Sequence, residues 1–186
     1  SKRLLLGSRK IMKTKKTRCA WCEKDDLYIK YHDEEWGVPV YDDKKLFEFL
    51  ILETFQAGLS WITILRKREN FRHAFDDFDY KKIAVYTEEK IQELMLDSGI
   101  IRNQLKIRAA VSNAIAFMKI QEEFDSFSKY IWGFVDHKPI VNNIKSLSEV
   151  KATTEISDVL SKDLKKRGFK FVGSTVVYAH MQATGM

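Results

Sequence analysis

The chain has 186 residues, of which 45% are hydrophobic and 31% are charged, and its formal net charge is +6. A chain of this length and composition can bury a substantial core, which excludes fibrous, collagen-like and disordered proteins. Only two prolines and eight glycines interrupt it, too few for a β protein with frequent turns, so we expect a mostly helical fold. No apolar run approaches the roughly twenty residues of a membrane span, so we expect a cytoplasmic protein without a membrane partner.

The positive charge is unevenly distributed along the chain. Residues 1–18 hold eight Lys or Arg and no acid, which leaves 24 basic against 26 acidic residues in the remainder. Residues 99–119 carry four bases and no acid, and residues 162–170 carry five bases against one acid. Any single patch of this kind is more often a solvated helix face than a binding surface. We interpret residues 1–17 as a basic tail, whose first eleven residues precede a methionine and could be vector-derived.

Seven segments combine helical spacing of apolar residues with an uninterrupted run or a capping residue, and they predict helices in chain order. These segments are residues 44–56, 61–75, 87–95, 103–121, 126–134, 155–167 and 175–184. The expected capping residues are Asp42, Ser60, Thr87 and Ser174. We find no internal repeat and no convincing pair of strands.

Glu53 is the most informative residue of the first predicted helix. Helical periodicity places it on the same face as Leu46 and Leu50, opposite Lys44. A buried carboxylate must find a cation, hydrogen-bond donors or a ligand, or else hold a proton. The position therefore indicates either a structural ion pair or a binding site.

Aromatic residues crowd the same part of the chain, where three of the four tryptophans lie within 41 residues. The aromatic residues near Glu53 are Trp21, Tyr28, Tyr31, Trp36 and Trp61. Aromatic faces can hold a flat heterocycle, particularly a cationic one, although such residues are more often part of a core. Together with a polar anchor, they suggest a stacking pocket.

The segment that ends at Gly99 and continues into Arg102, Lys106 and Arg108 resembles a helix-hairpin-helix turn. In such a turn, N–H groups at the start of the second helix meet a DNA phosphate. The usual second glycine is replaced by Ile101, so the hairpin alone is a weak signal.

Four ungapped blocks carry the most specific pattern in the chain. They are YHDEEWGVP at 31–39, LETFQAGLSWIT at 52–63, SGIIRN at 98–103 and LKKRGFKFVGST at 164–175. From about Arg18 to Met186, the sequence resembles the Tag-type 3-methyladenine DNA glycosylases, a bacterial family of the helix-hairpin-helix superfamily.

The resemblance implies an all-α, two-lobed helical bundle, with residues 18–186 as one unit whose N- and C-terminal parts form one lobe. It implies a monomeric repair enzyme that flips 3-methyladenine out of alkylated double-stranded DNA and hydrolyses its N-glycosidic bond. The products are then an abasic site and free 3-methyladenine.

The resemblance also assigns roles to individual residues. Glu53 is implied as the pocket carboxylate that binds the base and takes part in catalysis, with Tyr31 and Trp61 enclosing the base. The pocket lining is completed by Trp21, Tyr28 and Trp36. The implied DNA contacts are Gly58 and Leu59, the latter as an intercalating plug, together with Gly99, Arg102 and Lys106.

A structural zinc is the cofactor that the family implies. Cys19 and His32 match its first two ligands, and the family takes a His and a Cys from a tail beyond the Gln-Ala-Thr-Gly-Met stretch that ends this sequence at Met186. We therefore expect weak zinc binding or none in the 186-residue form. Cys22 and His180 do not match ligand positions.

Two other functions remain open from sequence alone. The chain could be a lesion-binding module without catalysis, against which Glu53, Tyr31 and Trp61 argue. It could also be a zinc-dependent RNA-binding protein, which would need exposed stacking aromatics rather than a pocket.

Overall fold

A computed structural model describes residues 17–186, so the predicted basic tail lies outside the described residues except for its last position. The described part contains nine α-helices and no strand, which confirms the predicted all-α fold. The helices are α1 (Asp26–Glu34), α2 (Asp43–Gln56), α3 (Trp61–Ala74), α4 (Tyr80–Ile83), α5 (Glu88–Leu96), α6 (Gln104–Phe124), α7 (Phe127–Trp132), α8 (Glu155–Lys166) and α9 (Ser174–Ala183). Within residues 17–186, no helix is long and apolar enough to span a bilayer.

Each of the seven predicted helices is present, although the predicted caps are only partly correct. The Asp42 carboxylate accepts a hydrogen bond from the Lys45 amide, and Thr87 caps α5 in the same way. Ser60 makes no capping bond to the backbone of α3. Ser174 is the first residue of α9 rather than its cap, because its hydroxyl is engaged by side chains of α8.

Helix α1 is absent from the sequence-based prediction because it has no continuous apolar stripe, and Tyr31 is its one buried residue. Ion pairs to α3 hold it in place instead. Arg68 makes two hydrogen bonds of 2.6 and 2.8 Å to the Glu35 carboxylate, which follows α1 directly. A second pair joins Arg66 to Asp25, the N-cap of α1.

Helix α2 lies at the centre of the molecule. Every residue from Phe49 to Phe55 is buried, and the helix contacts α3, α6, α7 and α9. A helix that is apolar on nearly all sides is stable only when other elements surround it. The buried apolar residues of the described chain form one cluster around it, and the division into two lobes stays a prediction.

The segment after α1 lies against the C-terminal end of the chain. The Gly37 amide donates to the Ala183 carbonyl at 3.2 Å, and the Val40 amide donates to the Thr184 carbonyl at 3.0 Å. Gly185 has a φ of +77°, and a Cβ at this position would lie 2.6 Å from a main-chain nitrogen of the first segment. The close approach of the two segments therefore requires glycine here.

Candidate active site

All six residues predicted to contact a base line one cavity of about 450 Å³. They are Trp21, Tyr28, Tyr31, Trp36, Glu53 and Trp61. Helix α1 supplies the two tyrosines, α2 supplies Glu53 and α3 begins with Trp61. Trp21 precedes α1 and Trp36 follows it, so the structure brings together residues from three helices and two connecting segments.

Part of the cavity wall was not predicted from the sequence. It is formed by part of the segment 138–154 and by one face of α9. Its residues are Asn142, Ile144, Leu147, Val150, Ala179 and Gln182. The sequence offered one signal for this wall. Apolar residues recur in the segment 138–154, which is otherwise polar and has no predicted helix.

Glu53 is buried, with 4% of its surface exposed, and it has no hydrogen bond or ion pair within residues 17–186. The sequence left open a structural pair with an internal Arg or Lys, and the described residues contain no such partner for it. Burial without a compensating charge raises the pKa of Glu53 to about 8. A carboxyl group kept neutral near physiological pH in a cavity is typical of a functional site.

The charge of Glu53 contributes to the pKa values of the two tyrosines of α1. Burial, followed by the Glu53 charge, raises the pKa of Tyr31 well above its usual range. Burial also raises the pKa of Tyr28, with smaller contributions from Cys22 and Glu53. Both phenols therefore stay protonated and remain able to donate hydrogen bonds.

The aromatic residues form two contacting groups around the cavity. Trp21 lies 4.7 Å from Tyr28 and 5.5 Å from Trp36, measured between ring centroids. Tyr31 and Trp61 lie 5.6 Å apart with their planes inclined at 46°. A base inserted between these last two rings needs roughly 7 Å, twice an ordinary carbon contact distance. The predicted enclosure of a base by Tyr31 and Trp61 therefore requires one of the rings to shift.

Trp61 also carries an unsatisfied donor. Its indole Nε1 is buried and has no hydrogen-bond partner within the described chain. Orphaned buried donors are rare in folded proteins and cluster at functional sites. Trp61 and Glu53 thus give the cavity two polar side chains that the fold itself does not satisfy.

The turn between α2 and α3 presents an apolar side chain beside the cavity. Gly58 has a φ of +80°, which few residues other than glycine adopt. Leu59 follows it and is 39% exposed, while its amide donates to the carbonyl of Gln56, a cavity residue. The turn is therefore tight and holds a leucine at the surface near the mouth of the cavity.

The hairpin between α5 and α6 differs in part from the prediction. The Gly99 amide donates to the Asp97 carboxylate at 2.8 Å, so this N–H is not free for a phosphate. A Cβ on Gly99 would lie 3.1 Å from Asn70 of α3, so glycine permits close packing here. Arg102 is exposed and has no ion-pair partner among the described residues, and its contact with DNA stays a prediction.

Lys106 lies in a different place from the one predicted for a phosphate contact. It is buried, and its Nζ donates to the carbonyls of Phe55 at 3.0 Å and Ala57 at 2.7 Å. These carbonyls belong to the C-terminal end of α2, where no further helical turn donates amide hydrogen bonds to them. Lys106, one of the four basic residues of the patch at 99–119, thus stabilises the fold through hydrogen bonds to α2.

The predicted zinc ligands do not complete a site. Cys19 lies in the wall of the cavity, and the His32 Nδ1 is 3.0 Å from Asp33. Residues 17–186 contain no group of three or more His, Cys, Asp or Glu side chains that could hold a metal ion. The Cys22 thiol donates to the Cys19 carbonyl, and the buried His180 donates from Nε2 to the carbonyl of Leu46. Both side chains are therefore engaged by main-chain carbonyls, and the zinc site stays a prediction.

Comparison with known proteins agrees with this geometry. A family model described as methyladenine glycosylase matches residues 21–186. DNA-3-methyladenine glycosylase 1 of Escherichia coli (strain K12) is 52% identical over 169 residues, which cover 91% of this chain and 90% of that protein. The chain belongs to the methyladenine glycosylase family.

Solved structures of similar proteins share the fold. A crystal structure of 3-methyladenine DNA glycosylase I matches with a TM-score of 0.88 and 50% identity, covering 91% of this chain and 93% of that one. A structure that describes 3-methyladenine recognition by the Staphylococcus aureus enzyme matches with a TM-score of 0.88 and 41% identity, covering 90% and 89% of the two chains. Within this fold, Lys106 connects α6, which follows the hairpin, to the C-terminal end of α2, the helix that carries Glu53.

Lys106 is expected to stabilise this family fold through its two hydrogen bonds. Lys106→Met keeps the aliphatic stem but leaves the Phe55 and Ala57 carbonyls without a donor, which should cost about 1 to 3 kcal/mol. Urea unfolding monitored by circular dichroism measures this loss. Lys119→Met, an exposed position on the same helix, is the matched control and should change the free energy of unfolding by less than about 0.5 kcal/mol. Equal stability of the two variants would contradict the assigned role.

Proposed function

We propose that this chain is a DNA glycosylase that excises 3-methyladenine from alkylated DNA and leaves an abasic site. The observation that carries the proposal is the buried, unpaired carboxyl group of Glu53 in an aromatic cavity. A base reaches such a cavity only after it has been flipped out of the helix. We further propose a monomer that acts in the cytoplasm, with alkylated double-stranded DNA as its partner and free 3-methyladenine as a product.

The chemistry of the substrate explains why a sparse active site suffices. Methylation at N3 leaves the adenine of the nucleotide cationic, so the base departs as a neutral molecule with the electrons of the glycosidic bond. Water adds to the sugar carbon and releases a proton, which completes the hydrolysis. The leaving group is thus already activated, and the cavity must mainly recognise it and stabilise positive charge.

Glu53 suits this recognition because its ionisation depends on what the cavity holds. With no cation nearby, burial keeps much of the group protonated at neutral pH. A cationic base favours the carboxylate, which then accepts hydrogen bonds from the adenine edge and offsets the charge. Normal adenine is neutral and supplies no such charge, so stacking alone would hold it.

We expect Glu53→Gln to lower kcat/KM for excision of 3-methyladenine from methylated DNA about ten- to a hundredfold, because the base is cationic until its glycosidic bond breaks. The change keeps the shape of the side chain but replaces an acceptor with a donor, and losing a charged hydrogen bond costs roughly 1.5 to 3 kcal/mol. Base release from methylated DNA measures this loss, and tryptophan fluorescence titration measures whether the neutral free base still binds. Glu34→Gln, an exposed carboxyl group outside the cavity, should behave as the parent.

The pH dependence gives a second readout for the same residue. For the parent, kcat/KM on methylated duplex should fall as pH decreases below about 8, because Glu53 must lose its proton to meet the cation. The folded carboxyl group holds its proton more tightly than the unfolded one, so the parent also loses stability relative to Glu53→Gln as the pH rises from about 4.5 to about 8. Parental affinity and parental excision rate in Glu53→Gln would remove this residue from the site.

We propose that the turn at Gly58 and Leu59 and the hairpin at Arg102 face the DNA. Leu59 is an exposed apolar side chain beside the cavity mouth, and Arg102 is an exposed, unpaired cation next to the hairpin. An apolar wedge can fill the gap that a flipped nucleotide leaves in the stack, and a cation can bind a phosphate.

Leu59→Ala should therefore lower excision from duplex DNA on the order of tenfold, since the lost wedge contact is worth about 1 to 3 kcal/mol. Binding of free 3-methyladenine should stay unchanged, because the free base leaves no gap to fill. Val85→Ala truncates an exposed apolar side chain elsewhere and serves as the control. The wedge role fails if Leu59→Ala excises the base from duplex DNA at the parental rate.

We propose that a zinc bound at Cys19 and His32 requires two ligands from outside residues 1–186. A structural zinc needs four ligands, and residues 1–16 add no His, Cys, Asp or Glu to those described. The 186-residue chain should consequently retain less than about 0.1 zinc per molecule after dialysis against a weak chelator. Elemental analysis checks this, and one tightly held zinc per chain would overturn it.

A further inference from the structure

The two basic patches of the sequence meet in the folded protein. The first turns of α6 and the turn between α8 and α9 form the walls of an open groove of about 490 Å³. The groove is lined by Leu105, Arg108, Ala109, Lys165, Phe169, Lys170 and Phe171. It is separate from the cavity that holds Glu53, because the two share no lining residue.

Two of the three cations in the groove are unneutralised. Lys165 and Lys170 are exposed, and neither ammonium group has a hydrogen bond or ion pair within residues 17–186. Arg108 is paired with Glu88 of α5. The groove lining contains no carboxylate, so its charge is complementary to an anion.

The lysine wall of the groove is held rigidly. The side chain of Asn113, which is fully buried, donates to the Lys170 carbonyl at 3.0 Å and accepts from the Lys170 amide at 2.8 Å. The next residue, Phe171, has a φ of +57°, a left-handed conformation that is uncommon for residues other than glycine. Its ring is partly exposed, with Lys170 beside it in the groove.

The pattern of side chains suits a sugar–phosphate backbone, in which apolar sugars alternate with anionic phosphates. Phe171 and the exposed Leu105 provide apolar surface next to Lys165 and Lys170. Leu105 is the second residue of α6 and lies three positions after Arg102, so the groove begins close to the hairpin. A strand that contacts the hairpin can therefore continue into the groove.

We propose that the groove between α6 and the α8–α9 turn binds the backbone of duplex DNA through Lys165 and Lys170. It extends the contact that begins at Arg102 and carries no sequence preference, since phosphates are common to all sequences. This inference rests on the proposed function only in taking DNA as the partner.

The test compares two double variants that remove the same charge. Lys165→Gln/Lys170→Gln alters the groove, whereas Lys81→Gln/Lys82→Gln alters exposed lysines on α4. Helix α4 packs beside Gln121, which is about 24 Å along α6 from Leu105 at 1.5 Å per residue. Fluorescence anisotropy with an unmodified labelled duplex at several salt concentrations measures the affinity.

The groove variant should bind on the order of tenfold more weakly than the control and show a salt slope shallower by about 1 to 2, as expected for two lost phosphate contacts. Its affinity for free 3-methyladenine should equal that of the parent, which also shows that it is folded. Equal DNA affinity and equal salt slope in the two double variants would overturn the proposal. Failure of the parent to excise 3-methyladenine would instead overturn the proposed function and leave the DNA result standing.

Discussion

The position of α2 inside the protein is the constraint on which the site depends. The last carbonyls of a helix have no intrahelical donor, and the buried carbonyl of Phe55 needs a partner from another element. Lys106 of α6 provides that donor for Phe55 and Ala57. The same two bonds set the distance between the hairpin at the start of α6 and the carboxyl group of Glu53, which lies two residues before Phe55. One buried ammonium group therefore connects α6, which follows the hairpin, to the end of the helix that carries Glu53.

The buried carboxyl group is costly, and the rest of α2 explains why the fold tolerates it. Phe49, Leu50 and Phe55 pack on all sides of the helix, so the cavity carboxyl group is an exception within an apolar element. Burial makes Glu53 responsive, because its charge state depends on its neighbour. A pairing Arg or Lys would have fixed the charge and removed this dependence. The unsatisfied Nε1 of Trp61 belongs to the same pattern, in which the fold leaves polar atoms for a ligand.

The sequence predicted those features that depend on local periodicity. The spacing of apolar residues along α2 places Glu53 on the apolar face of the helix. The aromatic residues that lie near Glu53 in the sequence line the same cavity. Features that depend on distant partners were missed. Helix α1 is held by the ion pair with Arg68 rather than by an apolar stripe. Lys106 was interpreted as a surface cation, because its carbonyl acceptors lie about fifty positions away in the sequence. The wall formed by residues 138–154 has no periodicity that would place it over the cavity.

The basic patches show how three-dimensional placement changes the meaning of charge. Within residues 99–119, Lys106 is buried and Arg108 is paired with Glu88, so the patch presents fewer free cations than its composition suggests. The turn after α8 adds a free cation to this surface, because two hydrogen bonds from Asn113 hold the main chain of Lys170 against α6. Free positive charge thus arises where two chain segments meet rather than within either one. The arrangement of these cations therefore depends on the packing of the α8–α9 turn against α6, and on the packing of α6 against α2.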